Sequence, residues 1–101
     1  MYLIREVFHC RPGKVRPLIE KFKAMGSLME KQGSPWKMRL MTDVSGENYW
    51  TLIAETEAES IDQFMKMEPG SPDDAQEFEA IMKDYHDLID HGRREIYKIE
   101  Q

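Results

Sequence analysis

The sequence predicts an α+β fold, a single four-stranded antiparallel sheet with all of its helices on one face. Three observations predict it. Segments of two-residue and of helical periodicity follow one another in the order strand, helix, strand, strand, helix pair, strand. Turn and cap signals separate them, notably Arg11-Pro12-Gly13, Gly33 and Ser71-Pro72. The 101 residues, 41% hydrophobic and 33% charged, suit one globular core, and no linker, repeat or low-complexity tract divides residues 1–101 into more than a single domain.

Met1 to Cys10 is rich in β-branched and aromatic residues and stops at a turn signal, so it reads as the first strand. From Val15, apolar residues fall at Leu18, Ile19, Phe22, Met25 and Met29, the stripe of an amphipathic helix. Pro17 sits in its first turn, where a missing N–H costs nothing, and Gly33 supplies the left-handed stop. Trp36 to Asp43 and Tyr49 to Glu57 read as a hairpin joined through Val44 to Asn48. Ser60 and Gln63 have capping-box spacing and open a short helix that Pro69-Gly70 breaks. Ser71, Pro72, Asp73 and Asp74 then start a longer helix whose stripe is Phe78, Ile81, Met82, Tyr85, Leu88 and Ile89, with Gly92 as its expected stop. Arg94 to Ile99 alternates as the last strand. This order is the ferredoxin-like split βαβ pattern, and right-handed crossovers place both helical connections on one side of the sheet.

The other side needs a cover. Adjacent apolar pairs recur in the strands, at Leu3-Ile4, Val7-Phe8, Leu40-Met41 and Leu52-Ile53, and neighbouring strand residues point to opposite faces. Four strands about 4.8 Å apart and about 25 Å long leave roughly 500 Å² of sheet uncovered in projection. Two such faces stacked with their rims reach the ~1,000 Å² of a specific interface. A face-to-face homodimer is the expected partner arrangement, since isologous dimers are the commonest oligomers.

Arg11-Pro12-Gly13-Lys14, the Asp43 to Gly46 turn, the Glu55 to Ser60 strand exit and the Gly92-Arg93-Arg94-Glu95-Ile96-Tyr97 segment together resemble the dimeric α+β barrel superfamily, within it the NIPSNAP-like and antibiotic-monooxygenase-like groups. The resemblance spans nearly the whole chain and implies a small-molecule site in the barrel or between sheet and helices. Members similar to this chain include cofactor-free oxygenases acting on aromatic polyketides, haem-degrading enzymes, small-molecule isomerases or decarboxylases, and proteins without an assigned activity. The haem-degrading pattern is met only in part, because the first strand has no Asn and only His86 has a counterpart.

Composition excludes several classes. A net charge of -5 without a basic stripe argues against nucleic acid. No apolar run approaches a membrane span, and early charges at Arg5 and Glu6 do not suit a signal peptide, so the expected address is cytoplasmic and away from membrane. Cys10 is the one cysteine and reads as a small buried hydrophobe. No His, Cys or carboxylate spacing suggests a metal, no Gly-rich phosphate loop follows a strand, and no cofactor is implied. Charge is uneven, however: Met1 to Met41 holds nine basic residues against three acids, and Thr42 to Gly92 two against fourteen. Attraction between a basic first helix and an acidic second one is the plain explanation, and a charged docking surface the sharper one.

Candidate site residues are few. His9, at the end of the first strand, and His86, at the edge of the second helix's apolar stripe, are the candidate acid-base groups; for both, a locally hydrogen-bonded side chain is the commoner fate. Arg5, Glu6, Arg39 and Glu55 are charges set mid-strand among apolar neighbours, where pairing is the ordinary outcome and an Arg holding a ligand's anion the functional one. Trp50 and Tyr97, with Trp36 and Tyr49, offer walls for a flat ligand. The expected function is a homodimeric barrel that binds or converts a small aromatic or anionic molecule without a cofactor, monooxygenase-like, with His9 or His86 as base and Arg5, Arg39, Trp50 and Tyr97 as ligand contacts. The alternative is a non-catalytic interaction or stress-related dimer.

Overall fold

A computed structural model of the chain describes residues 1–33, 36–46, 48–66 and 71–101. Pro69-Gly70 and Glu47, part of the expected helix break and hairpin turn, lie outside the described residues. The elements are β1 (Tyr2–Cys10), α1 (Val15–Lys31), β2 (Met38–Thr42), β3 (Thr51–Ala58), α2 (Ile61–Met65), α3 (Pro72–Met82), a 3₁₀ turn (Tyr85–Leu88) and β4 (Ile89–Lys98). The strands form one antiparallel sheet in the order β2-β3-β1-β4, so β1 and β3 are central and β2 and β4 are edges.

Capping residues work as the sequence indicates. Ser60 Oγ accepts from the backbone N–H of Gln63 at 3.0 Å, and Ser71 Oγ from that of Asp74 at 3.1 Å. After α1, Gly33 takes a φ of 73° and its N–H reaches the Glu30 carbonyl at 3.0 Å. Even-numbered strand residues face the helices: Cys10, Leu52 and Ala54 pack with Leu18, Ile19 and Phe22 of α1, and the rings of Phe8 and Phe22 lie 5.3 Å apart. Glu6 shares that face and ion-pairs with Arg94 across the β1–β4 ladder, while the Arg94 guanidinium lies 5.3 Å from the centroid of Phe64 in α2.

The region before β4 differs from the sequence reading. α3 ends at Met82 instead of running to Gly92. Lys21 of α1 donates to the Ile81 carbonyl at 3.1 Å and the Lys83 carbonyl at 2.7 Å, and Asp84 turns the chain with a φ of 63°. An ammonium thereby takes up helix-end carbonyls that would otherwise lack partners. Lys21 thus meets backbone carbonyls at the α1–α3 contact, and no ion pair among the described residues joins the basic residues of α1 to the acidic ones of α3. Tyr85 and Leu88 then continue the apolar stripe in a 3₁₀ turn, where a three-residue spacing also keeps side chains on one side. Periodicity alone could not tell the two helix types apart.

Consequently β4 begins at Ile89, and Gly92 is a mid-strand residue opposite Phe8. A Cβ at Gly92 would stand 3.1 Å from the Val7 carbonyl oxygen and 3.3 Å from the Phe8 ring, so the glycine makes room for an aromatic side chain lying across an edge strand. Between His9/His91 and Cys10/Ile89 the register shifts by one, leaving Asp90 as the extra residue of a β-bulge. Gly92→Val is expected to lower stability by about 1–3 kcal/mol through overpacking against Phe8. Urea unfolding checks this as a lowered midpoint at unchanged slope; an unmoved midpoint would show that β4 accepts a side chain there.

Candidate functional site

Odd-numbered strand residues form the second face of the sheet, which no described helix covers. Leu3, Met41 and Ile53 supply its half-buried apolar surface, and Val7, on the same face, is only 2% exposed beneath its neighbours. Across its middle runs a row of alternating charge set by cross-strand register: Arg39 opposite Glu55, Glu55 opposite Arg5, Arg5 opposite Glu95. Arg39 Nη2 donates to Glu55 Oε1 at 2.8 Å, and Arg5 Nη1 to Glu95 Oε1 at 3.3 Å. Arg5 Nε lies 3.0 Å from Glu55 Oε2 but out of line for a hydrogen bond, so that contact is an ion pair by proximity. Arg93 Nε completes the row with a 2.8 Å bond to Glu95 Oε2, and the Arg93 bond is the main reason the Glu95 carboxyl titrates below its ordinary range. Opposite charges facing one another across strands attract, an effect that solvent screens at the exposed ends of the row.

At the bulged end of the same face, His9 sits at the centre of a directional chain of hydrogen bonds. Arg93 Nη1 lies 3.0 Å from His9 Nε2, His9 Nδ1 lies 3.5 Å from Thr51 Oγ1, and Thr51 Oγ1 donates to the Asn48 carbonyl at 3.2 Å. A guanidinium only donates, so Nε2 is the nitrogen bearing the lone pair and Nδ1 carries the hydrogen, which the threonine oxygen accepts. The His91 ring lies against His9 with centroids 4.5 Å apart. Burial first, then the charges of His91 and Arg93, lower the His9 pKa from its ordinary value of 6.5. His9 is therefore a neutral imidazole at pH 7 with a defined basic atom.

The expected site residues divide among three places. Arg5, Arg39, His9 and Tyr97 share the open face. Tyr97, opposite Leu3, is 49% exposed. Trp50 precedes β3 instead of lying within it, at a φ of 60° that is unusual for a bulky residue, and its carbonyl accepts from the Cys10 N–H at 2.8 Å. Together with Tyr49, Thr42, Asp43 and Val15 it lines a groove of about 500 Å³ beside the start of α1. His86 is exposed in the 3₁₀ turn, its ring 4.0 Å from that of Tyr85 and not on the edge of a helix. Trp36 meets Phe64 edge-on at 6.3 Å, so the four aromatic residues do not build one wall.

Sequence alone points to neither Arg93 nor Thr51 as a site residue, and it sets His91 at a helix end facing water. His91 reads as a helix-end residue facing water only if the helix reaches Gly92; with β4 starting at Ile89, the two-residue period puts His91, Arg93, Glu95 and Tyr97 on one face. A second groove of about 560 Å³ opens along the β2 side of that face, lined among others by Leu3, Arg39, Glu55 and Ile99. Among the described residues no cluster of His, Cys, Asp or Glu could hold a metal, and no helix is long and apolar enough to cross a membrane. Cys10 is buried, and burial, with Asp43 and Asp90 nearby, pushes its thiol pKa up, away from reactivity.

The lowered His9 pKa fixes the sign of a pH effect. Unfolded His9 takes up a proton near pH 6.5, whereas folded His9 does so only at lower pH. Its contribution to stability is complete above that value and is lost as pH falls through the folded pKa. NMR titration of the imidazole should give a midpoint below 6.5 that rises in Arg93→Gln; a midpoint at or above 6.5 would contradict the hydrogen-bond assignment.

No family model matches the sequence, and no curated protein is a match to it. Solved structures do match. An uncharacterized NIPSNAP domain protein from Burkholderia xenovorans superposes with a TM-score of 0.69 at 10% identity, over 98% of this chain and 94% of that one. A NIPSNAP family protein from Agrobacterium tumefaciens gives 0.68 at 12% identity, over 96% and 90%. A protein from Deinococcus radiodurans, provisionally named an antibiotic biosynthesis monooxygenase, gives 0.64 at 10% identity, over 100% and 94%. At such identities the likeness is one of fold, and the chain has the ferredoxin-like α+β fold of these NIPSNAP and antibiotic-monooxygenase-like structures.

Proposed function

We propose that the protein is a homodimer whose two open sheet faces stack and enclose a site for a small aromatic or anionic molecule, which it binds or converts without a cofactor in a monooxygenase-like way. The observation that carries this reading is the composition of the open face. It joins apolar residues at Leu3, Val7, Met41 and Ile53 to a registered row of ionised side chains and a neutral histidine. A plain solvent face would not concentrate these apolar side chains, and a plain hydrophobic interface would not hold five charged groups at its centre. A lined cavity between two copies accommodates both.

His9, not the exposed His86, is the base in this reading, because it lies on that face and its Nε2 carries the lone pair. In the conversion the Arg93 Nη1–H bond to Nε2 gives way, and the freed lone pair takes the proton from an acidic ring hydroxyl of the substrate. The O–H electron pair stays on the substrate as a phenolate, whose electron-rich ring carbon bonds dioxygen; one oxygen atom remains as a quinone carbonyl and the other leaves as water, the substrate supplying all the electrons. General-base assistance of this kind is worth roughly 100- to 10,000-fold in rate.

Sedimentation at micromolar concentration is expected to give the mass of two chains, and Ile53→Glu, which sets a charge at the centre of the stacked faces, should give one. A wild-type monomer would overturn the reading. Oxygen uptake with an activated polyhydroxylated aromatic should fall by about 100-fold in His9→Ala and little in His86→Ala; equal loss in both, or none, would remove His9 from the role of base.

A further inference from the structure

We infer that Arg93 is the anion-holding residue of the open face and that it gives the site a preference for small carboxylates, held beside His9. This rests on reading the open face as a ligand site and adds the ligand's charge class and the residue that selects it.

Charge is the first support. The connected row contains three guanidiniums, Arg5, Arg39 and Arg93, against two carboxylates, Glu55 and Glu95, which leaves one positive charge over. Arg5 stands between both carboxylates, and Arg39 has Glu55 at 2.8 Å. Arg93 must share Glu95 with Arg5, and its other partner, His9, is neutral. Glu57, opposite Leu3 on the same face, adds a further carboxylate at the Arg39 end, so the locally uncompensated positive charge lies at the His9 end of the row.

Geometry is the second. Arg93 Nε is bonded to Glu95 and one Nη1 hydrogen to His9, so the guanidinium plane is held at two points. Three of its five N–H groups have no protein acceptor among the described residues, and the side chain is 53% exposed. A planar donor pair already fixed in orientation is suited to a carboxylate, which accepts two parallel bonds from it. Binding there puts a negative charge next to His9 and offsets the cation that helps hold it neutral. Arg93 thus acts in two ways, selecting the anion and letting the bound anion raise the basicity of His9.

The test uses benzoate and its neutral isostere benzamide, followed by calorimetry and by NMR titration of His9 on the full chain. Benzoate is expected to bind at least about tenfold more tightly than benzamide, the preference to vanish in Arg93→Gln, and the His9 midpoint to rise when benzoate is bound. Arg93→Lys, which keeps the charge and loses the fork, should retain part of the preference, and it also serves if the Gln variant melts early. Equal binding of the two compounds to a dimeric wild type, or a benzoate preference untouched in both variants, overturns the role of Arg93 while leaving the dimeric site intact. A monomer that binds neither compound overturns both.

Discussion

β1 lies between β3 and β4, and its side chains alternate strictly between two surfaces of opposite character. Ile4, Glu6, Phe8 and Cys10 turn toward the helices, whereas Leu3, Arg5, Val7 and His9 turn away. This parity fixes most of what surrounds it. On the helix side the single carboxylate, Glu6, is answered by Arg94 near the rim of the helix layer, so the packing of Phe8 and Cys10 against α1 proceeds without an unpaired charge. On the other side Arg5 demands acids on both neighbouring strands, and Glu55 and Glu95 stand in register to supply them. A one-residue slip of either neighbour would break the ion row and turn apolar residues to the wrong surface together.

The row and the His9 cluster are one network, because Glu95 and Arg93 belong to both. Orientation passes along it by direct contact: Glu55 and Glu95 hold Arg5, Glu95 holds Arg93, and Arg93 defines which nitrogen of His9 carries the proton. Low exposure of His9 and Thr51 makes that last step count, since a half-satisfied buried imidazole would cost more than it contributes.

Much of this was legible in the chain itself. The strand-helix order, the caps at Ser60 and Ser71, the Gly33 stop and the two-faced character of β1 all follow from local rules that tertiary packing did not override. The boundary between α3 and β4 was not legible, for two physical reasons. An apolar pair spaced by three serves a 3₁₀ turn as well as an α-helix, and Gly92 is as suitable for a helix stop as for the bare patch beneath Phe8. The error moved His91 and Arg93 out of view, and with them the half of the candidate site that β4 provides. Nothing local in the sequence announces Lys21 as the residue on the α3 carbonyls, because that contact joins positions about sixty residues apart.

The bulge at Asp90 has a consequence for how the chain can vary. Strand pairing normally transmits length changes as a change of phase, exchanging inside for outside along everything that follows. An extra residue already accommodated in β4, between Ile89 and His91, acts as a phase buffer, where an added or lost residue in the α3–β4 connection can be absorbed. The connection is then free to drift in length while the alternation of His91, Arg93, Glu95 and Tyr97 keeps its hand, which separates the part of the sequence that sets the site from the part that merely reaches it.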